Sequence, residues 1–192
     1  MSDVTVVPAG LERSADVELL LGGHGENGCW CQAWRGRDEV AKASGESRVE
    51  RLRRQLRDDD PPPGFLAYFA DEVVGWAGVS VRTRTPRLMN SRTIPLLDEQ
   101  PVWSIGCFKV RVGYRRRGVA KALLDGVVEA ARAAGTPAVE AYPIDPAGSR
   151  TDVSFAFVGL ASMFDAAGFR RMLTTDASSA GLPRLLVRLE LS

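Results

Sequence analysis

The fold of this chain is decided by one stretch, Val110-Arg111-Val112-Gly113-Tyr114-Arg115-Arg116-Arg117-Gly118-Val119-Ala120. An apolar, β-rich segment ends there in three arginines and a glycine, and a helical pattern begins at once. The free N–H groups of a first helical turn, together with the helix dipole, attract an anion. The arginines keep their charge at any ordinary pH, and Gly118 lets the backbone approach a ligand closely because it has no Cβ. The stretch therefore predicts a phosphate-binding turn between a strand and a helix.

The spacing of this turn separates it from two common phosphate loops. It contains neither G-x-x-x-x-G-K-[ST] nor G-x-G-x-x-G. The R-x-x-G-x-A of Arg115–Ala120 instead resembles the [QR]-x-x-G-x-[GA] signature that binds pyrophosphate in the GNAT N-acetyltransferases. The preceding V-R-V-G-Y resembles that family's V-x-P-x-Y, with Val112 where proline is usual. The segment Leu160–Phe169, which ends in A-A-G-F, resembles the family's last helix and its G-F ending.

Hydrophobic periodicity predicts an α/β (α+β) protein with one mixed sheet flanked by helices. The predicted strands are Val4–Val7, Phe65–Ala70, Val73–Val81, Val102–Val112, Ala138–Ile144, Phe169–Leu173 and Leu185–Leu191. The predicted helices are Asp16–Leu21, Arg48–Arg57, Val119–Ala134 and Gly159–Ala167. Prolines and charges predict a long loop over Arg82–Gln100, with a short helix within it as an alternative. The resemblance implies the GNAT fold, whose mostly antiparallel sheet has a V-shaped splay between the fourth and fifth strands. Residues 1–192 fit one domain.

Composition limits the classes of partner. Apolar residues make up 45% and charged residues 26% of the chain, as in ordinary globular proteins. A net charge of +1 provides no global field that would favour nucleic acid or an anionic membrane. Three cysteines without a disulfide spacing indicate a reducing compartment. With no apolar run of membrane length and no signal-peptide pattern, the sequence predicts a cytoplasmic protein.

The resemblance implies acetyl-CoA as the co-substrate, without a metal. The residues that it assigns to the pyrophosphate are Arg115, Arg116, Arg117, Gly118, Val119 and Ala120. Phe108, Lys109 and Val110, on the preceding strand, would offer backbone groups to the pantetheine arm. A strand N–H near Val110 could also polarise the thioester carbonyl, as an oxyanion hole does.

The acid that protonates the departing thiolate is missing from its usual place. The family often has a tyrosine four residues before the glycine of G-F, and this position is Phe164, which has no proton to give. The family's frequent asparagine, seven residues earlier, falls on Phe157 by simple spacing. A thiolate is a fair leaving group, so the loss of the tyrosine need not abolish activity.

An acceptor amine is protonated at neutral pH, so transfer requires a base or a proton-relaying water. Glu140 and Tyr142 share one face of a strand and are candidates. The alternatives are a solvent-facing glutamate and a core tyrosine. Cys107 could act as a nucleophile in a ping-pong route or be a buried, inert thiol. Asp98 and Glu99 precede the cofactor strand and could reach the acceptor, although loop carboxylates are usually solvated.

The segment from Gly22 to Trp34 lies where the family borders its acceptor. Trp30 and Trp34 would share one face if this part is helical, and could form an apolar wall, with core packing as the alternative. His24, Cys29 and Cys31 match none of the usual zinc spacings, so no metal site is predicted.

These observations predict an N-acetyltransferase that uses acetyl-CoA and direct attack by an unidentified primary amine, on a small molecule or a peptide. One alternative is a non-catalytic acyl-CoA-binding module with the same fold. A second is a nucleic-acid-binding protein that uses the arginines at 48–57 and 115–117, which near-neutral charge disfavours. Members of the family commonly dimerise, so a homodimer is compatible with the resemblance.

Overall fold

Seven strands form a single sheet in the computed structural model, which describes residues 4–146, 157–179 and 181–191. The strands are β1 (Val4–Pro8), β2 (Gly64–Phe69), β3 (Glu72–Val81), β4 (Trp103–Val110), β5 (Ala138–Ala141), β6 (Arg170–Ser179) and β7 (Leu182–Glu190). Their order across the sheet is β1-β2-β3-β4-β5-β7-β6. Neighbours pair antiparallel throughout except for β4 and β5, which are parallel. The predicted mixed, mostly antiparallel sheet is confirmed.

Helices cover both faces of the sheet. They are α1 (Ser14–Leu21), α2 (Glu39–Ser44), α3 (Arg48–Asp58), α4 (Pro86–Met89), α5 (Val119–Ala133) and α6 (Ala161–Ala166). One apolar cluster joins the sheet to α5 and α6 through residues such as Leu123, Val127 and Phe164. A second cluster joins the opposite face to α1 and α3 through Leu20 and Leu52. Each face is thereby removed from water by the apolar stripe of an amphipathic helix.

The sheet opens between β4 and β5. Their pairing covers only Trp103–Ile105 on β4 and Val139–Ala141 on β5. The register between β3 and β4 shifts where Gly78 pairs with Cys107 and Val79 pairs with Ile105, which leaves Gly106 as an extra residue. Such a bulge bends and twists its strand. Beyond it β4 continues alongside β3 alone, and this gives the predicted splay between the fourth and fifth strands.

Several predicted elements have different bounds in the structure, and the largest difference is in β6, which was predicted over Phe169–Leu173 and spans Arg170–Ser179. The strand predicted over Ala138–Ile144 ends at Ala141, because Pro143 cannot donate to a ladder and Ile144 forms only isolated bridges. The helix predicted from Gly159 begins at Ala161, since Gly159 has a φ of +85° and lies outside the helical region. None of the helices in the described ranges has the length and apolar content needed to span a bilayer.

The arginine-rich face of α3 is only partly exposed to solvent. Arg51 is buried and donates to the Gly36 carbonyl at 2.7 Å. Arg54 forms ion pairs with Asp38 at 2.9 Å and Glu46 at 3.1 Å. Acidic residues from the neighbouring loop and helix therefore neutralise part of this face.

Candidate active site

The phosphate-binding turn lies between β4 and α5. Gly118 caps α5 with a φ of +80°, and no side chain bonds to the free N–H groups of the first turn. The first i→i−4 bond runs from the Ala122 N–H to the Gly118 carbonyl at 2.9 Å, so the N–H groups of Val119 and Ala120 precede the helical ladder. A Cβ built at Gly118 would meet no atom within 4 Å, so open space lies beside the helix start. These features fit a pyrophosphate.

The arginines around the turn are exposed and differ in their contacts. The guanidinium groups of Arg111 and Arg117 lie 5.8 Å and 5.5 Å from the centre of the Tyr114 ring. The Tyr114 hydroxyl donates to Glu72, and this bond raises the pKa of Tyr114. Arg115 Nε approaches the Val110 carbonyl at 3.5 Å. Stacking on Tyr114 therefore orients Arg117 beside the helix start.

Strand β4 presents free backbone groups to the splay. Arg111 N–H donates to the Val74 carbonyl at 2.9 Å, and residues of an antiparallel pair alternate between facing the partner strand and facing away. From the register of β3 and β4, Lys109 faces β3, whereas the N–H and C=O groups of Phe108 and Val110 face the opening left by β5. Phe108 and Val110 thus direct their backbone groups into the opening of the sheet, where Arg115 Nε approaches the Val110 carbonyl.

Glu140 lies in a buried ion-pair cluster. It is completely buried on β5, which makes the alternative of a solvent-facing glutamate wrong. Arg82 Nη1 donates to its two carboxylate oxygens at 2.8 Å and 3.0 Å, and Arg188 Nη1 lies 3.4 Å away. Burial raises the pKa of Glu140, although both arginines act in the opposite direction. The carboxylate is thus held between two cations.

Asp98 and Tyr142 complete this cluster. Asp98 accepts from Arg82 at 2.8 Å and also from Arg188. Burial raises the pKa of Asp98, but the two arginines outweigh it and the pKa falls to about 2. The Tyr142 hydroxyl donates to Glu140 at 3.2 Å and lies 3.4 Å from the Ser104 hydroxyl, and burial raises its pKa. Glu99, by contrast, is exposed.

The two tryptophans occupy different environments. Residues 30–35 form turns, so Trp30 and Trp34 do not share a helical face. Trp30 is buried and donates its indole N–H to the Gly25 carbonyl at 2.8 Å. Trp34 is half-buried and lies directly on Gly106, where an added Cβ would be 1.8 Å from the indole ring. Trp34 therefore lies over the bulge from which the two strands diverge.

Cys31, in the turn before α2, is in contact with Cys107 on β4. Cys31 Sγ lies 3.0 Å from Cys107 Sγ, and both are free thiols. The bond from Cys107 and the nearby Arg35 guanidinium lower the pKa of Cys31, whereas that of Cys107 is raised. Within the described ranges, no three histidine, cysteine or acidic side chains gather into a group that could hold a metal ion.

Phe164 lies against the cofactor strand. It is completely buried, and its ring packs edge-to-face with Phe108 at 6.2 Å and Phe169 at 5.2 Å. Phe157, at the position of the family's asparagine, is exposed. Sequence reasoning had no signal for Arg82 or Arg188, which contact Glu140 from positions 58 and 48 residues away along the chain.

Comparison with known proteins decides the family. The sequence model of the acetyltransferase (GNAT) family matches residues 30–147, which include the turn and the splayed strands. The chain belongs to the GNAT acetyltransferase family. It is therefore an acyltransferase. No curated protein matches it in sequence.

Solved structures of GNAT proteins share the fold over the whole chain. A chain of the NatC complex bound to Gag peptide and CoA is 12% identical, with a TM-score of 0.59 and coverage of 98% of this chain and 99% of that one. A GNAT acetyltransferase from Bacillus cereus is 13% identical, with a TM-score of 0.54 and coverage of 97% and 96%. The acetyltransferase yncA of Salmonella typhimurium, with its cofactor acetyl-CoA, is 14% identical, with a TM-score of 0.55 and coverage of 99% and 95%. At these identities the likeness establishes the fold.

Proposed function

We propose that this GNAT protein transfers the acetyl group of acetyl-CoA to a primary amine by direct attack. The observation that carries the proposal is the uncapped start of α5, where Gly118 and the exposed arginines of 115–117 adjoin the splayed end of β4. Two of the structurally similar proteins were solved with CoA or acetyl-CoA, which supports the same ligand class here. A cytoplasmic location and a homodimer stay predictions of the sequence.

Binding is assigned to the turn and to the free edge of β4. The N–H groups of Val119 and Ala120 would hold the pyrophosphate, with Arg115, Arg116 and Arg117 as its counter-charges. Acetyl-CoA supplies the activated acetyl group. The backbone of Phe108 and Val110 would align the pantetheine arm and polarise the thioester carbonyl, because these groups face the opening. Lys109 lies on the same strand, but its backbone N–H and C=O groups face β3 and would not reach the pantetheine arm.

The acceptor half is assigned to the face of the sheet that carries Trp34. Trp34 covers Gly106 and is only half-buried, so it would form an apolar wall beside the acceptor amine. Trp30 would support that wall from the core rather than touch the acceptor. The acceptor amine would belong to a small molecule or to a peptide, and the experiment below includes both classes.

We assign the removal of the proton from the acceptor amine to a water molecule. Glu140 and Tyr142 were candidates for acid–base roles, but Glu140 is held by two arginines and Tyr142 donates to Glu140. These contacts favour a positioning role for both, since they fix the β5 side of the splay. Cys107 has a raised pKa and contacts Cys31, which favours direct attack over a ping-pong route through a Cys107 thioester.

The test is release of CoA thiol from acetyl-CoA with a panel of small amines, amino acids and peptides, alongside a thermal-shift measurement with acetyl-CoA alone. We expect acetyl-CoA to raise the melting temperature and at least one amine class to release thiol in proportion to the acetylated product. Stabilisation by acetyl-CoA without thiol release from any amine would contradict the enzyme proposal and favour the non-catalytic binding module. The absence of any effect of acetyl-CoA would contradict both.

A further inference from the structure

Cys31 and Cys107 form a thiol pair that neither acetyl-CoA binding nor amine attack uses. Their sulfur atoms are 3.0 Å apart, about 1 Å more than a disulfide bond, although the residues lie 76 positions apart in the chain. Gly78 pairs with Cys107 in the sheet, and a Cβ there would lie 2.2 Å from Cys31 Sγ and 3.0 Å from Cys107 Sγ. The glycine thus leaves the space in which the two sulfur atoms meet.

The backbone that carries Cys31 is held in an unusual conformation. Trp30 and Cys31 both have positive φ, at 48° and 55°, in a turn closed by a 2.9 Å bond from the Gln32 N–H to the Cys29 carbonyl. Bulky residues rarely adopt this region, and they persist there only where the surrounding structure requires it. Burial of Trp30 and its bond to Gly25 keep the turn in place. The turn therefore directs Cys31 at strand β4.

The surroundings of the pair favour one thiolate beside one thiol. Arg35 is 5% exposed and acts on Cys31, and the indoles of Trp34 and Trp76 further favour its ionised form. The indole nitrogens of both tryptophans are buried and have no hydrogen-bond partner in the part of the chain that the structure describes, so both remain available to the thiolate. Cys107 has the raised pKa and therefore holds the remaining proton, and it is the less buried residue of the pair, which places the approach of peroxide on its side.

We propose that Cys31 and Cys107 are a site of reversible oxidation, at which hydrogen peroxide converts the two thiols into a disulfide that fastens the segment of residues 22–36 to strand β4. In the first step the Cys31 thiolate attacks one peroxide oxygen. The S–O bond forms, the O–O bond breaks, and the hydroxide released takes the Cys107 proton to become water. In the second step the Cys107 thiolate attacks the Cys31 sulfur. The S–S bond forms, the S–O bond breaks, and the second hydroxide takes a solvent proton, so two thiols are oxidised and one peroxide is reduced to two waters.

The bond would act on the acceptor side of the site. Residues 22–36 carry Trp34, and Cys107 immediately precedes Phe108 on the free edge of β4. Fixing the segment to the strand would restrict how Trp34 adjusts to an acceptor, while the turn at Gly118 lies outside the cross-linked segment. This consequence rests on the proposed function, whereas the oxidation itself does not.

The experiment uses Cys29→Ser protein, since Cys29 is exposed and would react independently. The protein is treated with a small excess of hydrogen peroxide, denatured, and alkylated, and its thiols are counted by mass spectrometry. We expect two alkylated thiols before oxidation and none after it, a cross-linked peptide joining residues 31 and 107, and full reversal by dithiothreitol. The melting temperature of the oxidised protein should rise by roughly 5 °C or more, because the link closes a long loop.

Cys107→Ser in the same background is the matched control: peroxide can convert its Cys31 only to a sulfenic acid, which dithiothreitol reverses, so this variant should form no cross-linked peptide and show no rise in melting temperature. The proposed disulfide would be contradicted if both thiols survive oxidation. It would also be contradicted if the cysteines become sulfinic acids or form links between chains. If an acceptor is found, oxidation should lower its turnover at least about fivefold, a larger effect than any change in acetyl-CoA affinity. A disulfide that forms without changing turnover would contradict only the proposed effect on the acceptor side. If no amine is ever acetylated, the thiol count still tests whether Cys31 and Cys107 are oxidised to a disulfide.

Discussion

At the scale of single residues, Phe164 determines what lies beside the cofactor strand. The ring is completely buried between Phe108 and Phe169, and an added Cβ on Gly159 would lie 2.7 Å from it. An aromatic core contact therefore occupies the position where many relatives place an acid. We propose that the departing thiolate obtains its proton from water, just as water takes the proton of the acceptor amine.

Phe164→Tyr should lower the free energy of unfolding without raising the rate of acetyl transfer. The new hydroxyl would enter an apolar site next to Gly159, and an unpartnered buried hydroxyl costs about 1–3 kcal/mol. Urea denaturation measures this cost, and CoA thiol release measures the rate. Phe157→Tyr adds the same hydroxyl at an exposed position and should change stability by less than about 0.5 kcal/mol. A stable Phe164→Tyr protein with faster transfer would show that the hydroxyl reaches the thiolate.

At the scale of elements, one buried cluster joins β5, β7 and the loop before β4. Arg82 and Arg188 share Glu140, and Asp98 bridges the same two arginines from the loop. Both arginines are almost fully buried, so each depends on its carboxylate partners. The cluster holds the β5 side of the splay in place while β4 turns away from it.

Glu140→Gln should reduce the free energy of unfolding by about 3 kcal/mol or more, because it leaves two buried arginines short of a counter-charge. Chemical denaturation measures the loss. Glu190→Gln is the matched control, since Glu190 also pairs with Arg188 but is half-exposed, and it should cost less than about 1 kcal/mol. If Glu140 were the base, the folded variant would instead lose turnover and change its pH–rate profile while keeping its stability.

Asp98 should contribute to unfolding at acid pH. Its pKa in the folded protein is about 2, below the value of about 3.9 for an unfolded aspartate. A carboxyl with a depressed pKa stabilises the fold above the unfolded value, and that stability is lost as the pH falls from about 4 towards 2. Asp98→Asn should therefore lower stability at neutral pH and flatten the pH dependence across this window, as measured by thermal unfolding. An unchanged slope in Asp98→Asn would contradict the assigned ion pairs.

These contacts also show which parts of the fold and of the candidate site can be predicted from the sequence. The turn at Gly118 is local, because a strand end, an arginine run, a glycine and a helix start follow one another, and the strand–helix order was predicted from it. The splay was expected only from the resemblance to the family. The environment of Glu140 depends on Arg82 and Arg188, which are distant in sequence and carry no pattern of their own. The meeting of Cys31 and Cys107 was not predictable for the same reason, since a positive-φ turn and the missing Cβ of Gly78 create it.

At the scale of the whole molecule, the sheet separates two tasks. The end of β4, the turn and the start of α5 present cations and free N–H groups, whereas the face with Trp34 and the cysteines is apolar. On α3, Arg53 pairs with Glu18 and Arg54 pairs with Asp38 and Glu46, whereas the arginines of 115–117 form no ion pair in the described part of the chain. This arrangement suits acetyl-CoA better than a nucleic acid.

The most direct test of this account is calorimetric titration of acetyl-CoA into the native protein, Gly118→Glu and Gly135→Glu. Gly118 and Gly135 lie at opposite ends of α5, both with positive φ and with open space beside them, so the two variants add the same charge and similar strain. We predict that Gly118→Glu weakens binding at least tenfold, about 1.4 kcal/mol, whereas Gly135→Glu binds like the native protein. Equal affinity for acetyl-CoA in all three folded proteins would contradict the assignment of the turn as the coenzyme A site.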